Sequence, residues 1–144
     1  MVAGLRSMTA PAAVSWAACL GWIDLHGSPL HWMGSRVAVA IFSASAVAEL
    51  VADKLPRTPS RTAAGPLIGR IVLGGLAGAC LAISATESPL MGALLGGIGA
   101  VVGAFAGYEI RRRLVRALGA KDPVVAVVED LVAVGLAYVV VTGV

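Results

Sequence analysis

The sequence predicts an all-α fold: a polytopic transmembrane bundle of about five helices, in a single domain covering residues 1–144. Hydrophobic residues make up 58% of the chain and charged residues only 13%, with a mean hydropathy of +0.90. A soluble domain usually carries about 25% charged residues, so this composition cannot cover a surface that faces water. Strands are a poor alternative, because the apolar segments do not alternate between polar and apolar residues.

Five apolar segments are the predicted helices, and most approach the roughly 20 residues that a helix needs to cross a bilayer. Pro11 suits the first turn of the first helix, and the other prolines fall between segments, where they punctuate the chain. The first two segments are short, so either could be tilted, interfacial or re-entrant. The segments cover approximately residues 8–23, 37–52, 67–85, 90–108 and 124–142.

Basic residues fall on one side of this five-helix arrangement. Of the eleven lysines and arginines, only Arg36 lies on the other side. Because basic loops stay in the cytoplasm, this asymmetry places the N-terminus and the loops 53–66 and 109–122 inside. The loops 24–36 and 86–89 and the C-terminus are then outside.

Two pairs of segments resemble each other within the chain. The sequence Gly-Pro-Leu-Ile-Gly at 65–69 is echoed by Ser-Pro-Leu-Met-Gly at 88–92, and residues 47–52 are echoed by residues 128–133. In each pair the predicted helices cross in opposite directions, as in the inverted repeats of many transporters. The alternative is chance similarity in a chain rich in alanine, valine and glycine.

Glycines form stripes at helical spacing on the third and fourth predicted helices. Small residues let helix backbones approach closely, so the stripes predict either packing within one chain or the interface of a homo-oligomer. The stripe residues are Gly74 and Gly78 on the third helix and Gly92, Gly96, Gly99, Gly103 and Gly107 on the fourth.

Ionisable residues inside the second segment carry a functional signal. A charge near the bilayer centre costs at least about 2.5–3.5 kcal/mol on insertion scales, although the cost falls toward the interface. Ser45, Glu49 and Asp53 are spaced i, i+4 and i+8, so they share one face of a helix. We expect this polar face to look toward other helices.

Further charges should join that face in the cytoplasmic half of the bundle. Glu129 and Asp130 lie about two turns into the fifth helix, Arg70 lies one turn into the third, and Arg6 enters the first. One interpretation is that the arginines neutralise the acids and fix helix register. Another is a proton- or cation-linked transport site, because incompletely paired carboxylates can take up a proton or hold a cation. A third is binding to a partner subunit or a lipid.

The remaining polar residues favour contact with lipid over chemistry. Arg111, Arg112, Arg113 and Arg116 are expected to set topology and to contact anionic headgroups, and no nucleic-acid partner is expected. The loop containing the two histidines also has tryptophans that can anchor it at the interface, which we favour over a metal site. No cofactor is expected.

No enzyme signature is present, since the chain lacks a nucleophile elbow, an HExxH motif and a phosphate-binding glycine loop. The leading hypothesis is therefore a small oligomeric transporter or channel rather than an enzyme. Its site would combine the four acids with Arg6 and Arg70, alongside membrane lipids as partners. The alternative is a non-catalytic accessory or scaffold subunit of a larger membrane complex, and a lipid-modifying enzyme is a third hypothesis.

Three short motifs stand out along the chain: Gly4-Leu5-Arg6 followed by Pro11, the run Glu-Leu-Val-Ala-Asp-Lys-Leu-Pro at 49–56, and Glu129-Asp130. Together they resemble the bacterial membrane family known as DUF4126. The resemblance covers nearly the whole chain and is most specific at residues 53–56. It implies a helical fold in the bacterial inner membrane but no chemistry, because the family name records an unknown function. The positions that it marks for testing are Arg6, Glu49, Asp53, Lys54, Glu129 and Asp130.

Overall fold

The fold is all-helical in the part of the chain that the structure describes. A computed structural model describes residues 2–52, 64–118 and 122–143, without the side chains at 114, 115, 117, 118, 122–126 and 129. A short 3-10 turn at His31–Gly34 precedes the third helix. The α-helices are α1 Val2–Leu5, α2 Thr9–Cys19, α3 Arg36–Ala52, α4 Ala64–Ser84, α5 Pro89–Leu118 and α6 Asp122–Thr142.

Each predicted apolar segment coincides with one of the longer helices, but the first differs at both ends. The short helix α1 precedes it, and α2 ends at Cys19, before the predicted end at residue 23. The N–H of Trp22 donates to the carbonyl of Ala17 at 2.8 Å, and the N–H of Gly21 donates to the carbonyl of Ala18 at 3.2 Å. With Gly21 at φ +75°, these bonds form a Schellman motif, which satisfies the last carbonyls and turns the chain out of the helix.

Helix α5 is longer than predicted, because it continues past the apolar segment to Leu118. The basic run at 111–116, which we predicted in a loop, is therefore helical. The reason is local: residues 108–118 contain neither glycine nor proline and are mostly arginine, leucine and other good helix formers.

The helices are arranged around the α1–α2 segment. Helix α2 packs against α3, α4 and α6, while α1 packs against α5, α4 and α6. Helices α4 and α5 form a tightly packed antiparallel hairpin, and α6 touches α5 only slightly. The start of the chain is thus surrounded by all the other long helices.

Four of the predicted stripe glycines lie where α4 and α5 meet. A Cβ on Gly74 would lie 2.7 Å from the carbonyl oxygen of Gly96, and a Cβ on Gly78 would overlap the carbonyl oxygen of Gly92. Because these neighbours are backbone atoms, the helices could not keep this approach with larger residues. These glycines therefore pack within one chain.

The end of the stripe on α5 meets α1 instead. A Cβ on Gly4 would lie 2.6 Å from the carbonyl carbon of Gly103, and Gly103 and Gly107 are both buried. Gly99 is half-buried. That these stripes also serve a homo-oligomer stays a prediction.

Two of the described helical stretches are long and apolar enough to cross a membrane, by length and composition: Ala64–Ser84 and Pro89–Arg113. A shorter apolar stretch covers Asp130–Thr142. That five helices cross a membrane, and that the chain contains an inverted repeat, stay predictions.

Candidate functional site

The candidate site is the break between α1 and α2. Residues 6–8 separate the two helices, so the last carbonyls of α1 and the first N–H groups of α2 lack partners within their own helices. Burial of such groups is costly unless they find other partners. Two other helices, α3 and α4, supply partners here.

Glu49 of α3 caps the start of α2. Its Oε1 accepts the N–H of Ser7 at 2.9 Å and the Ser7 hydroxyl at 2.5 Å, and its Oε2 accepts the N–H of Met8 at 2.9 Å. Met8 occupies the N-cap position but makes no side-chain cap. Glu49 thus binds the N–H groups of the N-cap residue and of the residue before it, and its negative charge suits the N-terminal end of a helix.

Arg70 of α4 caps the end of α1. Its Nη1 donates to the carbonyl oxygen of Gly4 at 2.5 Å and more weakly to that of Leu5 at 3.4 Å. Its Nη2 lies 3.7 Å from Oε1 of Glu49, and Arg70 is only 4% exposed. The same guanidinium therefore closes one helix end and contacts the carboxylate that closes the other.

Arg6 lies inside the break itself. It is 1% exposed and forms an ion pair with Asp130 of α6. Since a guanidinium stays protonated in proteins, burial at this depth requires a counter-charge, which Asp130 supplies. The break therefore ties together the start of the chain, α3, α4 and α6.

The structure brings together four of the predicted site residues: Arg6, Glu49, Arg70 and Asp130. Ser45 lies one turn before Glu49 on α3 and is half-buried. Asp53 and Lys54 lie outside the described residues. Glu129 belongs to α6, but its side chain lies outside the described part.

Ser7 and the backbone N–H of Met8 are site groups that the sequence reasoning missed. The available signal was Pro11. Proline is tolerated in the first turn of a helix but not in the helix interior, so a helix that contains Pro11 must start shortly before it. The N–H groups exposed at that start needed an acceptor, and Glu49 was the candidate.

A comparison with protein families decides the identity of the chain. The family model of DUF4126, a domain of unknown function, matches residues 1–142. The chain belongs to the DUF4126 family. No curated protein and no solved structure matches it.

In this DUF4126 chain, each of the two similar runs 47–52 and 128–133 contributes an acid to the break. Glu49 and Asp130 occupy equivalent positions in the runs 47–52 and 128–133, and each binds the 6–8 segment from its own helix. This placement agrees with the predicted inverted repeat, which stays a prediction.

The described side chains at the break comprise two acids and two bases, so their formal charges balance. No group of three or more His, Cys, Asp or Glu that could hold a metal ion occurs among the described residues. The predicted surplus of carboxylates rests on Asp53 and on the side chain of Glu129, which the structure does not describe.

The basic run lies on the last part of α5, beyond its apolar segment. Glu109 accepts hydrogen bonds from Arg112 at 3.2 Å and from Arg113 at 2.8 Å. Arg112, Arg113 and Arg116 are exposed, whereas Arg111 is half-buried. The four arginines predicted to contact headgroups are therefore not equivalent.

Proposed function

We propose that this DUF4126 chain is a polytopic protein of the inner membrane, with its N-terminus in the cytoplasm, and that it acts as a small oligomeric transporter or channel. Its transport would be linked to protons or cations through the carboxylates at the α1–α2 break. No catalytic activity is part of this proposal.

The apolar outer surface supports the membrane placement. Each of the four longest helices exposes large aliphatic side chains, for example Val37 at 67%, Val72 at 62%, Leu90 at 70% and Leu131 at 69%. Soluble monomers rarely expose contiguous apolar surface on this scale. Lipid acyl chains, by contrast, are a suitable solvent for it.

The observation that carries the transport proposal is the charged break between α1 and α2, the two helices that pack against α3, α4, α5 and α6. In secondary transporters, substrate and ion sites form where a helix is interrupted and its free ends point at charged groups. Non-helical backbone is tolerated at membrane depth only where it is buried in protein or lines a cavity. At the break Arg6 is buried, as is Arg70 of α4 beside it, whereas Ser7 and Met8 are half-buried.

Glu49 is the group through which a proton or cation would act. Its carboxylate accepts from Ser7 and Met8 and contacts Arg70, so it holds three parts of the bundle together. A proton or cation that competes for this carboxylate would weaken all three contacts at once. Ion binding would thereby release the start of α2 and couple to a movement of the helices.

The test is a flux assay on purified protein in liposomes. We expect wild-type protein to conduct protons, cations or small solutes in a pH-dependent manner. Glu49→Gln and Asp130→Asn should each reduce that flux at least about tenfold, which corresponds to a transport barrier about 1.4 kcal/mol higher. Glu87→Gln is the matched control, because Glu87 is an exposed acid in the α4–α5 connection. Wild-type liposomes that carry no ion or small solute at any pH would contradict the proposal.

A second candidate function is that of an accessory or scaffold subunit in a larger membrane complex. The observation that favours it is the pairing of both described acids at the break, Glu49 with Arg70 and Asp130 with Arg6. Such ion pairs can have a purely structural role, in which they fix helix positions. Extraction in mild detergent, followed by pull-down and mass measurement, tests this function. A homogeneous self-oligomer with no other subunit would count against it.

A further inference from the structure

One face of α5 is largely exposed from Met91 to Arg116, and it changes from apolar to charged near the end of the helix. Its apolar part contains Met91, Leu94, Ile98, Val102 and Phe105, each between 49% and 60% exposed. Steps of three and four residues continue this face to Glu109, Arg112, Arg113 and Arg116. The side chains along this single stripe on α5 therefore change from apolar residues to mostly basic ones.

The dimensions of the stripe match a lipid bilayer. Leu90 and Tyr108 are 18 residues apart, or about 27 Å along the helix at 1.5 Å per residue, which is close to the roughly 30 Å thickness of the hydrocarbon core. Tyr108 is 44% exposed, as expected for an aromatic residue at the interface. Arg112 follows about 6 Å further along the axis, at headgroup depth.

We propose that this end of α5 binds the headgroup phosphate of an anionic phospholipid in the cytoplasmic leaflet. Arg112, Arg113 and Arg116 supply the positive charge, and the apolar stripe beside them takes the acyl chains. The proposal rests on the membrane placement proposed above but not on transport. Arg111 is not part of this surface, because it is half-buried and lies on another face of the helix.

Glu109 controls the affinity of this surface. Its carboxylate pairs with Arg113 at 2.8 Å and with Arg112 at 3.1 Å, so it occupies the guanidinium groups that a phosphate would use. The guanidinium fork suits phosphate as well as carboxylate. With one acid against three exposed arginines, the surface keeps a net positive charge that an anionic lipid complements.

The test is native mass spectrometry of the full chain in detergent, titrated with phosphatidylglycerol or with phosphatidylcholine of the same acyl chains. Each basic residue near a membrane surface contributes about a fivefold preference for anionic lipid. We expect wild type to prefer phosphatidylglycerol and Arg112→Gln/Arg113→Gln to lose about 25-fold of that preference. Arg36→Gln, a matched change at the exposed arginine that begins α3, should keep it.

Glu109→Gln should change the preference for phosphatidylglycerol in the opposite direction. This variant keeps the test valid if the double variant folds poorly. Removing the competing carboxylate should raise the preference for phosphatidylglycerol about fivefold, whereas a purely helix-stabilising role of Glu109 predicts no rise. Added salt should weaken the preference, because these charges are exposed.

Several results would overturn the proposal. Equal binding of the two lipids by wild type would do so, as would equal losses in Arg36→Gln and in the double variant. Complete displacement of phosphatidylglycerol by an equal concentration of inorganic phosphate would assign the surface to free phosphate instead. A lipid preference in a protein that shows no flux would leave this inference standing and refute only the transport function.

Discussion

Replacing Gly78 by alanine tests the close approach of α4 and α5. The new Cβ would overlap the carbonyl oxygen of Gly92 and lie 3.0 Å from its carbonyl carbon and 3.1 Å from the Cα of Gly96. All three atoms belong to the backbone of α5, so no side-chain rotation can relieve the contact. The two helices must separate, and the contacts along the hairpin weaken with them.

The size of the effect follows from two opposing terms. Overpacking of this kind costs about 1–3 kcal/mol, while alanine gains about 1 kcal/mol over glycine in a helix interior. Gly69→Ala on the same helix is the matched control, because nothing lies within 4 Å of its new Cβ. Since both variants share the propensity gain, we expect Gly78→Ala to be less stable than Gly69→Ala by about 1–3 kcal/mol.

The free energy of unfolding can be measured in mild detergent by titration with a denaturing detergent and followed by circular dichroism. A Gly78→Ala protein as stable as Gly69→Ala would refute the close approach of α4 and α5. Gly75→Ala should fall between the two, since its Cβ would lie 3.3 Å from the carbonyl oxygen of Ala93, a contact that a small shift relieves.

Two further predictions concern the break. Arg6→Ala should lower the free energy of unfolding by about 3–5 kcal/mol, because it leaves Asp130 without its ion pair. The double change Arg6→Ala/Asp130→Ala should lower that free energy by less than the sum of the two single changes, and additive losses would contradict the pair. Glu49→Gln should lower the free energy of unfolding by about 1–3 kcal/mol, since the amide nitrogen of glutamine cannot accept the N–H that one carboxylate oxygen accepts. Hydrogen exchange at the amides of Ser7 and Met8 should then accelerate, while exchange at Val39 within α3 serves as the unaffected reference.

The helices could be predicted from the sequence better than their ends, because hydropathy and helix formation depend on different properties. Apolar length located α3, α4 and α6 closely. On α5 the apolar residues stop near Tyr108, yet good helix formers carry the helix to Leu118. At the end of α2 the reverse holds: Ile23 is buried at 3% exposure but lies beyond the helix, because the Gly21 turn ends it first.

The break could be predicted only in part, because Pro11 marks a helix start shortly before it but nothing nearby marks the end of α1. The segment from Leu5 to Thr9 contains neither glycine nor proline, and the groups that hold it open come from distant positions, Glu49 and Arg70. Because burying a charge is costly, the sequence was enough to identify these residues as a group. The partner of each residue could not be predicted, because Glu49 binds backbone N–H groups as well as a guanidinium.

The permanence of the arginine charge constrains how a transport cycle could use this site. A guanidinium is not deprotonated in proteins, so a proton that neutralises Glu49 leaves the charge of Arg70 without that counter-ion. When that contact is lost, α3 no longer holds Arg70 through Glu49. Any movement of Arg70 then breaks its hydrogen bond to the carbonyl of Gly4 and frees the end of α1. In the proposed function, protonation of one carboxylate is therefore coupled to displacement of α4 relative to α1, and Arg70 is the residue that transmits it.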